Sequence, residues 1–84
     1  MDIHMNSYTV EFFAICPNNG IRIKYQLRIE TTDVIQVEHI VDEVTILDRG
    51  YHEEIADQLQ RVFGGKQKMI ADHHGVIIET TRGA

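Results

Sequence analysis

Cys16 is the most reactive side chain in this sequence, and it is the only cysteine among 84 residues. As a thiolate, a cysteine is a strong nucleophile that can form a covalent intermediate with an electrophilic carbon. A buried cysteine without such a role is a small apolar side chain, which is the more common case. Cys16 follows an alternating apolar run, so we expect it at a strand end on the apolar face. The residue type by itself leaves both interpretations open.

The run Gly50-Tyr51-His52-Glu53-Glu54 opens a segment with helical periodicity. A carboxylate is an acceptor that can take two parallel hydrogen bonds, and a guanine-like or pterin-like ring offers two adjacent N–H donors. A single glutamate at the base of a pocket can therefore hold such a ring by its edge. The other interpretation is an acidic first turn with a solvated histidine, which the helix dipole favours.

His73 and His74 lie in a predicted turn, where histidines are usually solvated. Cys16, His52 and one of these two histidines contain the donor types of a zinc site. The spacing of short ligand pairs that is typical of zinc sites is missing. The sequence therefore predicts no metal.

The length indicates one domain, which we assign to residues 5–84. Residues 1–4 precede a second methionine, Met5, and are interpreted as a leader added for expression. Eight basic against thirteen acidic residues give a formal charge of −5, which disfavours binding to nucleic-acid phosphates. A lone cysteine excludes an internal disulfide, and neither a signal pattern nor a membrane-spanning apolar run is present. We therefore expect a cytoplasmic protein with no membrane partner.

Two strands are predicted at residues 8–16 and 21–30, joined by a hairpin that ends in Asn19-Gly20. Closure on a two-residue turn would place apolar residues opposite one another on one face. The predicted pairs are Cys16 with Ile23, Ala14 with Tyr25, Phe12 with Leu27, and Val10 with Ile29. On the other face Glu11 would oppose Arg28. Phe13 and Ile15 also lie on that face, which suggests that another subunit covers it.

Two helices and a second hairpin complete the predicted order. Residues 33–47 have apolar positions on one helical arc, with Thr32 or Asp33 as the cap, although their β-branched composition also suits a strand. Residues 51–63 form a clearer amphipathic helix that Gly64-Gly65 ends. Residues 66–72 and 76–82 then form strands around the turn His73-His74-Gly75. The prediction is an α+β fold of order ββααββ, a four-stranded antiparallel sheet with two helices on one face.

Three short motifs stand at matching places along this order. They are Cys16-Pro17-Asn18-Asn19-Gly20 after the first strand, Val37-Glu38 at the first helix, and Gly50-Tyr51-His52-Glu53 at the second. In order and approximate spacing they resemble the 7-cyano-7-deazaguanine reductases, nitrile reductases of queuosine biosynthesis with the tunnelling fold (T-fold). That family carries Cys-Pro-x-Thr-Gly, Val-Glu and Phe-His-Glu at these places. The resemblance covers residues 16–59.

The resemblance implies a role for each matched residue. Cys16 would add to a substrate nitrile as a covalent thioimide, Glu53 would grip the deazaguanine ring, and His52 would line the pocket and assist proton transfer. Glu38 would also bind substrate. The resemblance further implies a homo-oligomer that closes into a ring or barrel, with sites at the subunit interfaces. The partner would be a purine-like or deazapurine molecule, and nucleic acid would enter only as a modified tRNA substrate.

Two departures from the family's pattern bear on the reaction. The family has an aspartate general acid at the position that is Ile23 here. Its cofactor-binding stretch, Glu-Ser-Lys-Ser-x-Lys, corresponds to residues 38–43, where Ile40 and Glu43 replace the lysines that would meet phosphates. We therefore expect weak or no binding of NADPH. Reduction of the nitrile and addition of ammonia, as in the amidinotransferase of archaeosine synthesis, both remain open.

Two classes of function follow from the sequence. The first is a T-fold enzyme acting on a deazapurine-type heterocycle, with a zinc-dependent pterin enzyme as a variant. The second is a small acidic interaction module, such as an inhibitor encoded by a mobile element. An enzyme needs Cys16 and Glu53 on one pocket, whereas an interaction module needs neither there.

Overall fold

The computed structural model describes residues 4–83, so the predicted leader lies outside the described residues except for His4. The elements are β1 (Asn6–Ile15), β2 (Arg22–Thr31), α1 (Val37–Ile46), α2 (His52–Phe63), β3 (Lys66–His73) and β4 (Val76–Arg82). The four strands form one antiparallel sheet in the order β1-β2-β3-β4. The predicted α+β order ββααββ is confirmed.

The first hairpin keeps its predicted faces, but its predicted register is wrong by two residues. The observed pairs are Ala14 with Ile23, Phe12 with Tyr25, Val10 with Leu27, and Tyr8 with Ile29. The turn is longer than two residues because the Cys16 N–H donates to the Ile21 carbonyl and the Gly20 N–H to the Cys16 carbonyl. A shift of two residues preserves the face of every side chain. Glu11 opposes Gln26 and pairs with Lys24 at 3.3 Å instead of Arg28.

Helix α1 begins later than predicted, at Val37 with Gln36 as its N-cap, instead of after Thr32 or Asp33. Two side chains hold the preceding segment in a non-helical path. The Thr31 hydroxyl accepts from the Asp33 N–H at 3.0 Å, and the Tyr8 hydroxyl accepts from the Ile35 N–H at 3.0 Å. The Thr31 bond is local and the Tyr8 bond is long-range, and both engage backbone N–H groups of the segment before the helix.

The core lies between one face of the sheet and both helices. Ile23, Tyr25, Leu27 and Ile29, which were predicted to share one face of the second strand, are buried, and Leu27 and Ile29 are at most 1% exposed. Ile21, the first residue of the predicted strand, lies before β2 and is 40% exposed. The helical stripes add Ile40, Val44, Ile55, Ala56 and Leu59 to the same cluster. The end of β1 is tied to the segment between the helices, because the Ile15 N–H donates to the Asp48 carbonyl and the Ile15 carbonyl accepts from the Gly50 N–H. This tie brings the start of α2 close to Cys16.

Strands β1 and β4 are the two edges of the sheet, and both carry exposed apolar residues. Phe13 is 44% exposed, Ile15 38%, Val76 63% and Ile77 62%. The Arg22 guanidinium lies over the Phe13 ring, 3.9 Å from its centre. Apolar residues at a free strand edge favour pairing with another chain.

We expect a homo-oligomer at micromolar concentration, since strand-to-strand pairing of copies would bury these edge residues. Sedimentation velocity is expected to show a species larger than one 9.7 kDa chain. A lysine at the β4 edge, Ile77→Lys, should shift the distribution towards the single chain. A compact monomer of the unmodified protein at that concentration would contradict this prediction.

Within residues 4–83, no helix is long and apolar enough to cross a membrane.

Candidate functional site

A pocket of about 290 Å³ lies between the start of α2 and the adjacent ends of β1, β2 and β3. Its reactive or polar lining residues are Cys16, Tyr25, Tyr51, His52, Glu53 and His73. Apolar side chains, including Ile23 and Ile78, form the rest of its wall. The pocket therefore combines an apolar surface with a few convergent polar groups, which is typical of small-molecule sites.

The structure brings together three of the four residues that the sequence singled out. Cys16, His52 and Glu53 all line this pocket, whereas Glu38 is exposed and does not line it. Glu38 is in the first turn of α1, which follows a segment hydrogen-bonded to Tyr8 near the start of β1. Cys16 follows the other end of that strand. Within one chain, Glu38 and the pocket therefore lie at opposite ends of the sheet.

Cys16 is fixed at the start of the first hairpin turn by its own backbone. Its N–H donates to the Ile21 carbonyl at 2.9 Å, and its carbonyl accepts from the Gly20 N–H at 2.8 Å. Gly20 adopts a positive φ of 72°, a conformation that is easy only for glycine. The side chain is 6% exposed, and that remaining surface opens on the pocket.

His52 is the first residue of α2 and is held against β4. One ring nitrogen, Nε2, is 2.6 Å from the Thr80 hydroxyl, and the other, Nδ1, is buried without a partner among residues 4–83. Burial lowers the pKa of His52, Arg82 and His73 lower it further, and Glu53 acts in the opposite direction. The net effect favours the neutral imidazole.

Glu53 stands at the mouth of the pocket in an ion pair with Arg82. The Arg82 side chain donates from Nη2 to the Glu53 carboxylate. It also donates from Nε to the Asp57 carboxylate, at 2.7 Å. Glu53 and Asp57 lie one turn apart on α2, so a single guanidinium reaches both. The Glu53 side chain is 70% exposed, so this pair contributes little to stability. Its effect is to hold the Glu53 carboxylate in place.

Comparison with known proteins gives the fold. No family model matches the sequence, and no curated protein matches it. The structure is similar to the crystal structure of the archaeosine synthase QueF-Like in its apo form, with a TM-score of 0.75. The likeness covers 93% of this chain and 90% of that chain, at 18% sequence identity. The chain has the T-fold. This agrees with the expectation from its three motifs, and at this identity the likeness concerns the fold alone.

The T-fold unit carries a second groove, of about 330 Å³, on the sheet face away from the helices. Its basic lining residues are Arg28, Lys66 and Lys68. Arg28 pairs with Glu30 and Lys68 with Glu79, each at 3.3 Å. Most of the positive charge is therefore neutralised within the sheet, and the reactive side chains belong to the pocket at Cys16.

The zinc site considered from the sequence finds no support in the geometry. Among residues 4–83, no group of three His, Cys, Asp or Glu side chains is arranged to hold a metal ion. His74 instead lies 3.1 Å from the Asn19 amide nitrogen, and its ring contacts that of His73. His74 thus links the two hairpin turns.

Three residues around this pocket were not identified from the sequence as functional: Tyr25, Thr80 and Arg82. His73 was considered only as a possible zinc ligand. The two-residue period of β4 places Ile78, Thr80 and Arg82 on one face, which was a usable signal. The element that covers this face is decided by how α2 packs on the sheet.

We expect His52 to make the protein less stable as the pH falls from about 7 to about 5. The unfolded histidine titrates near its ordinary pKa of about 6.5, whereas burial lowers the pKa of the folded one. Between these pH values the unfolded state binds more protons than the folded state. The free energy of unfolding therefore decreases as the pH decreases. Urea midpoints should show a flatter pH dependence for His52→Gln than for the unmodified protein. The exposed-site control His39→Gln should retain the slope, and an unchanged slope in His52→Gln would contradict the assignment.

Proposed function

We propose that this T-fold chain is an enzyme that binds a 7-deazaguanine-type heterocycle and attacks a nitrile on that ring through Cys16. The observation that supports the proposal is the presence of Cys16 and Glu53 on one pocket, together with His52. An interaction module has no need of this arrangement. The similar solved structure is named an archaeosine synthase, and a modified nucleoside of that kind is consistent with a deazapurine ligand.

Ring recognition is assigned to Glu53. Its carboxylate can accept two N–H donors from the edge of a guanine-like ring. The apolar wall, with Ile23 and Ile78, would contact the ring faces. Arg82 holds the carboxylate beside the pocket before the ligand arrives, which lowers the entropy lost on binding. The neutral imidazole of His52, fixed by Thr80, would form the wall beside the ring.

The covalent step is addition of the Cys16 thiol across the nitrile. The sulfur bonds to the nitrile carbon, one π bond of C≡N breaks, and its electron pair moves to nitrogen. Nitrogen takes up the proton that the thiol releases, which leaves a neutral thioimide. Atoms and electrons balance without an oxidant or a reductant. Covalent addition divides one difficult substitution into two easier steps.

We assign the second step to ammonia and not to NADPH. Ammonia would add to the thioimide carbon and displace the Cys16 thiol, which converts the nitrile to an amidine with no change of oxidation state. Hydride transfer would require a dinucleotide site. At the places of the family's lysines this chain has Ile40, which is 4% exposed in the core, and the acidic Glu43. Neither can pair with a phosphate.

The test is incubation with 7-cyano-7-deazaguanine, followed by intact-protein mass spectrometry. We expect the mass of the protein to increase by the full mass of one 7-cyano-7-deazaguanine molecule. Added ammonium should then release a product that is heavier than the nitrile by one ammonia. A product that instead gains four hydrogens with NADPH would establish a reductase. If the folded protein neither binds the nitrile nor forms an adduct, the enzyme proposal is excluded.

That last result would favour the interaction module. The observation behind this second candidate is a run of exposed apolar residues before and along α1: Val34 is 80% exposed, Val37 59% and Val41 48%. With the net charge of −5, they give an apolar stripe on an acidic protein, a feature of binding surfaces.

A further inference from the structure

Addition of a thiol to a nitrile requires a proton donor at the nitrile nitrogen, and the pocket offers few candidates. The need for this donor rests on the proposed function. The Glu53 side chain is 70% exposed and accepts a hydrogen bond from Arg82, so it serves as an acceptor. Tyr51 also lines the pocket, but this residue is 48% exposed. Neither group is a buried donor.

The two pocket histidines differ. His52 has one nitrogen on the Thr80 hydroxyl, and its other nitrogen is sealed from solvent. His73 has Nε2 sealed in the same way, whereas its Nδ1 is neither sealed nor hydrogen-bonded within residues 4–83. The His73 ring lies in the turn against His74, with 4.7 Å between centroids. A nitrogen without access to the pocket cannot reach a ligand there.

Tyr25 is the most enclosed candidate. The residue is 2% exposed and lines the pocket with Cys16. The sealed, unpaired polar atoms of residues 4–83 include nitrogens of His52 and His73 but not the Tyr25 hydroxyl. Within residues 4–83, Tyr8, His52 and His74 each make a side-chain hydrogen bond, whereas Tyr25 makes none. The hydroxyl therefore opens on the pocket with its proton uncommitted.

Packing holds the Tyr25 ring on both sides. It stacks on Phe12 with 5.1 Å between centroids, and the His52 ring lies tilted at 5.6 Å. Burial raises the pKa of Tyr25, and negative charge on Cys16 raises it further. The phenol thus stays protonated beside Cys16, as a proton donor must.

We propose that Tyr25 is a catalytic residue that donates the proton to the nitrile nitrogen as Cys16 attacks the carbon. The Cys16 Sγ–C bond forms while one C–N π bond breaks. The Tyr25 proton goes to nitrogen, and the thiol proton of Cys16 goes to the Tyr25 oxygen. Tyr25 is regenerated, and the product is the same neutral thioimide.

The test compares Tyr25→Phe with the matched control Tyr51→Phe, since both remove one pocket hydroxyl. Tyr25→Phe keeps the ring stack on Phe12, so circular dichroism should show an unchanged fold. Calorimetry with 7-deazaguanine, which lacks the nitrile, should give unchanged binding. The rate of adduct formation with 7-cyano-7-deazaguanine is expected to fall about 10²-fold or more in Tyr25→Phe and to change little in Tyr51→Phe.

A second variant separates chemistry from packing. Fluorotyrosine at position 25 keeps the ring and has a more acidic hydroxyl, so the alkaline limb of the pH–rate profile should move to lower pH. An unshifted limb, or an adduct that forms equally fast in Tyr25→Phe, would overturn the Tyr25 assignment and leave the proposed function standing. Absence of any adduct in the unmodified protein would overturn both proposals.

Discussion

Replacement of Cys16 with alanine is expected to abolish covalent capture of 7-cyano-7-deazaguanine and to leave the fold and reversible ring binding intact. The reason is that the only sulfur nucleophile of the chain lies on the pocket that Glu53 also lines. The substitution removes only the sulfur atom, from a residue that is 6% exposed. We expect it to destabilise the protein by about 1 kcal/mol, the centre of the range for single substitutions. Intact mass should show no adduct at any incubation time.

The control for this prediction is Cys16→Ser, which preserves the size of the side chain. A serine hydroxyl without an adjacent base is a weak nucleophile, so this variant should also form no adduct. Binding of 7-deazaguanine by both variants should remain within a few-fold of that by the unmodified protein. An adduct that persists in Cys16→Ala would show that another group captures the nitrile, and the mechanism would then be wrong.

Glu53→Gln is expected to weaken binding of 7-deazaguanine by about 10- to 100-fold. A hydrogen bond to a charged group contributes about 1.5–3 kcal/mol, and the amide replaces one of two acceptor oxygens with a donor. Glu53 is exposed and in a first helical turn, so the free energy of unfolding should fall by less than about 1 kcal/mol. Arg82 keeps its bond to Asp57. Isothermal calorimetry measures the affinity directly.

Glu54→Gln is the matched control, because it removes the same charge from the same turn of α2. Glu54 lines a different surface depression, with Leu47 and Gln58, and not the pocket at Cys16. Its affinity for 7-deazaguanine should equal that of the unmodified protein. Equal losses in both variants would indicate a general effect of charge, and no loss in Glu53→Gln would exclude the ring-anchor role.

Hydrophobic periodicity in the sequence is sufficient to predict the order and nature of the elements. The alternation in β2 and the helical stripe of α2 each report which residues face a common core. Ile23 to Ile29 at alternate positions, Ile55 and Leu59 are buried as expected, whereas Ile21 is exposed. These signals are local, since each depends on the geometry of one element. The register of the first hairpin is not local in this sense. A turn that is two residues longer leaves every face unchanged, so the pattern cannot distinguish the two registers.

The start of α1 shows the same limit. The residues before Val37 fit a helical arc, and the tertiary hydrogen bond from the Ile35 N–H to the Tyr8 hydroxyl keeps them out of the helix. Residues far apart in the sequence decide this boundary. The helix propensity of the residues before Val37 therefore cannot predict this contact.

The sequence by itself determined the reactive residue types, Cys16, His52 and Glu53, because their chemistry depends on the side chain and on its place at a strand or helix end. Only the tertiary structure decided that these three share a pocket, that Glu38 lies at the other end of the sheet, and that the Tyr25 hydroxyl opens beside Cys16. The physical reason is packing. The hydrogen bonds of Ile15 to the segment between the helices, and the apolar face of α2 on the sheet, set these distances.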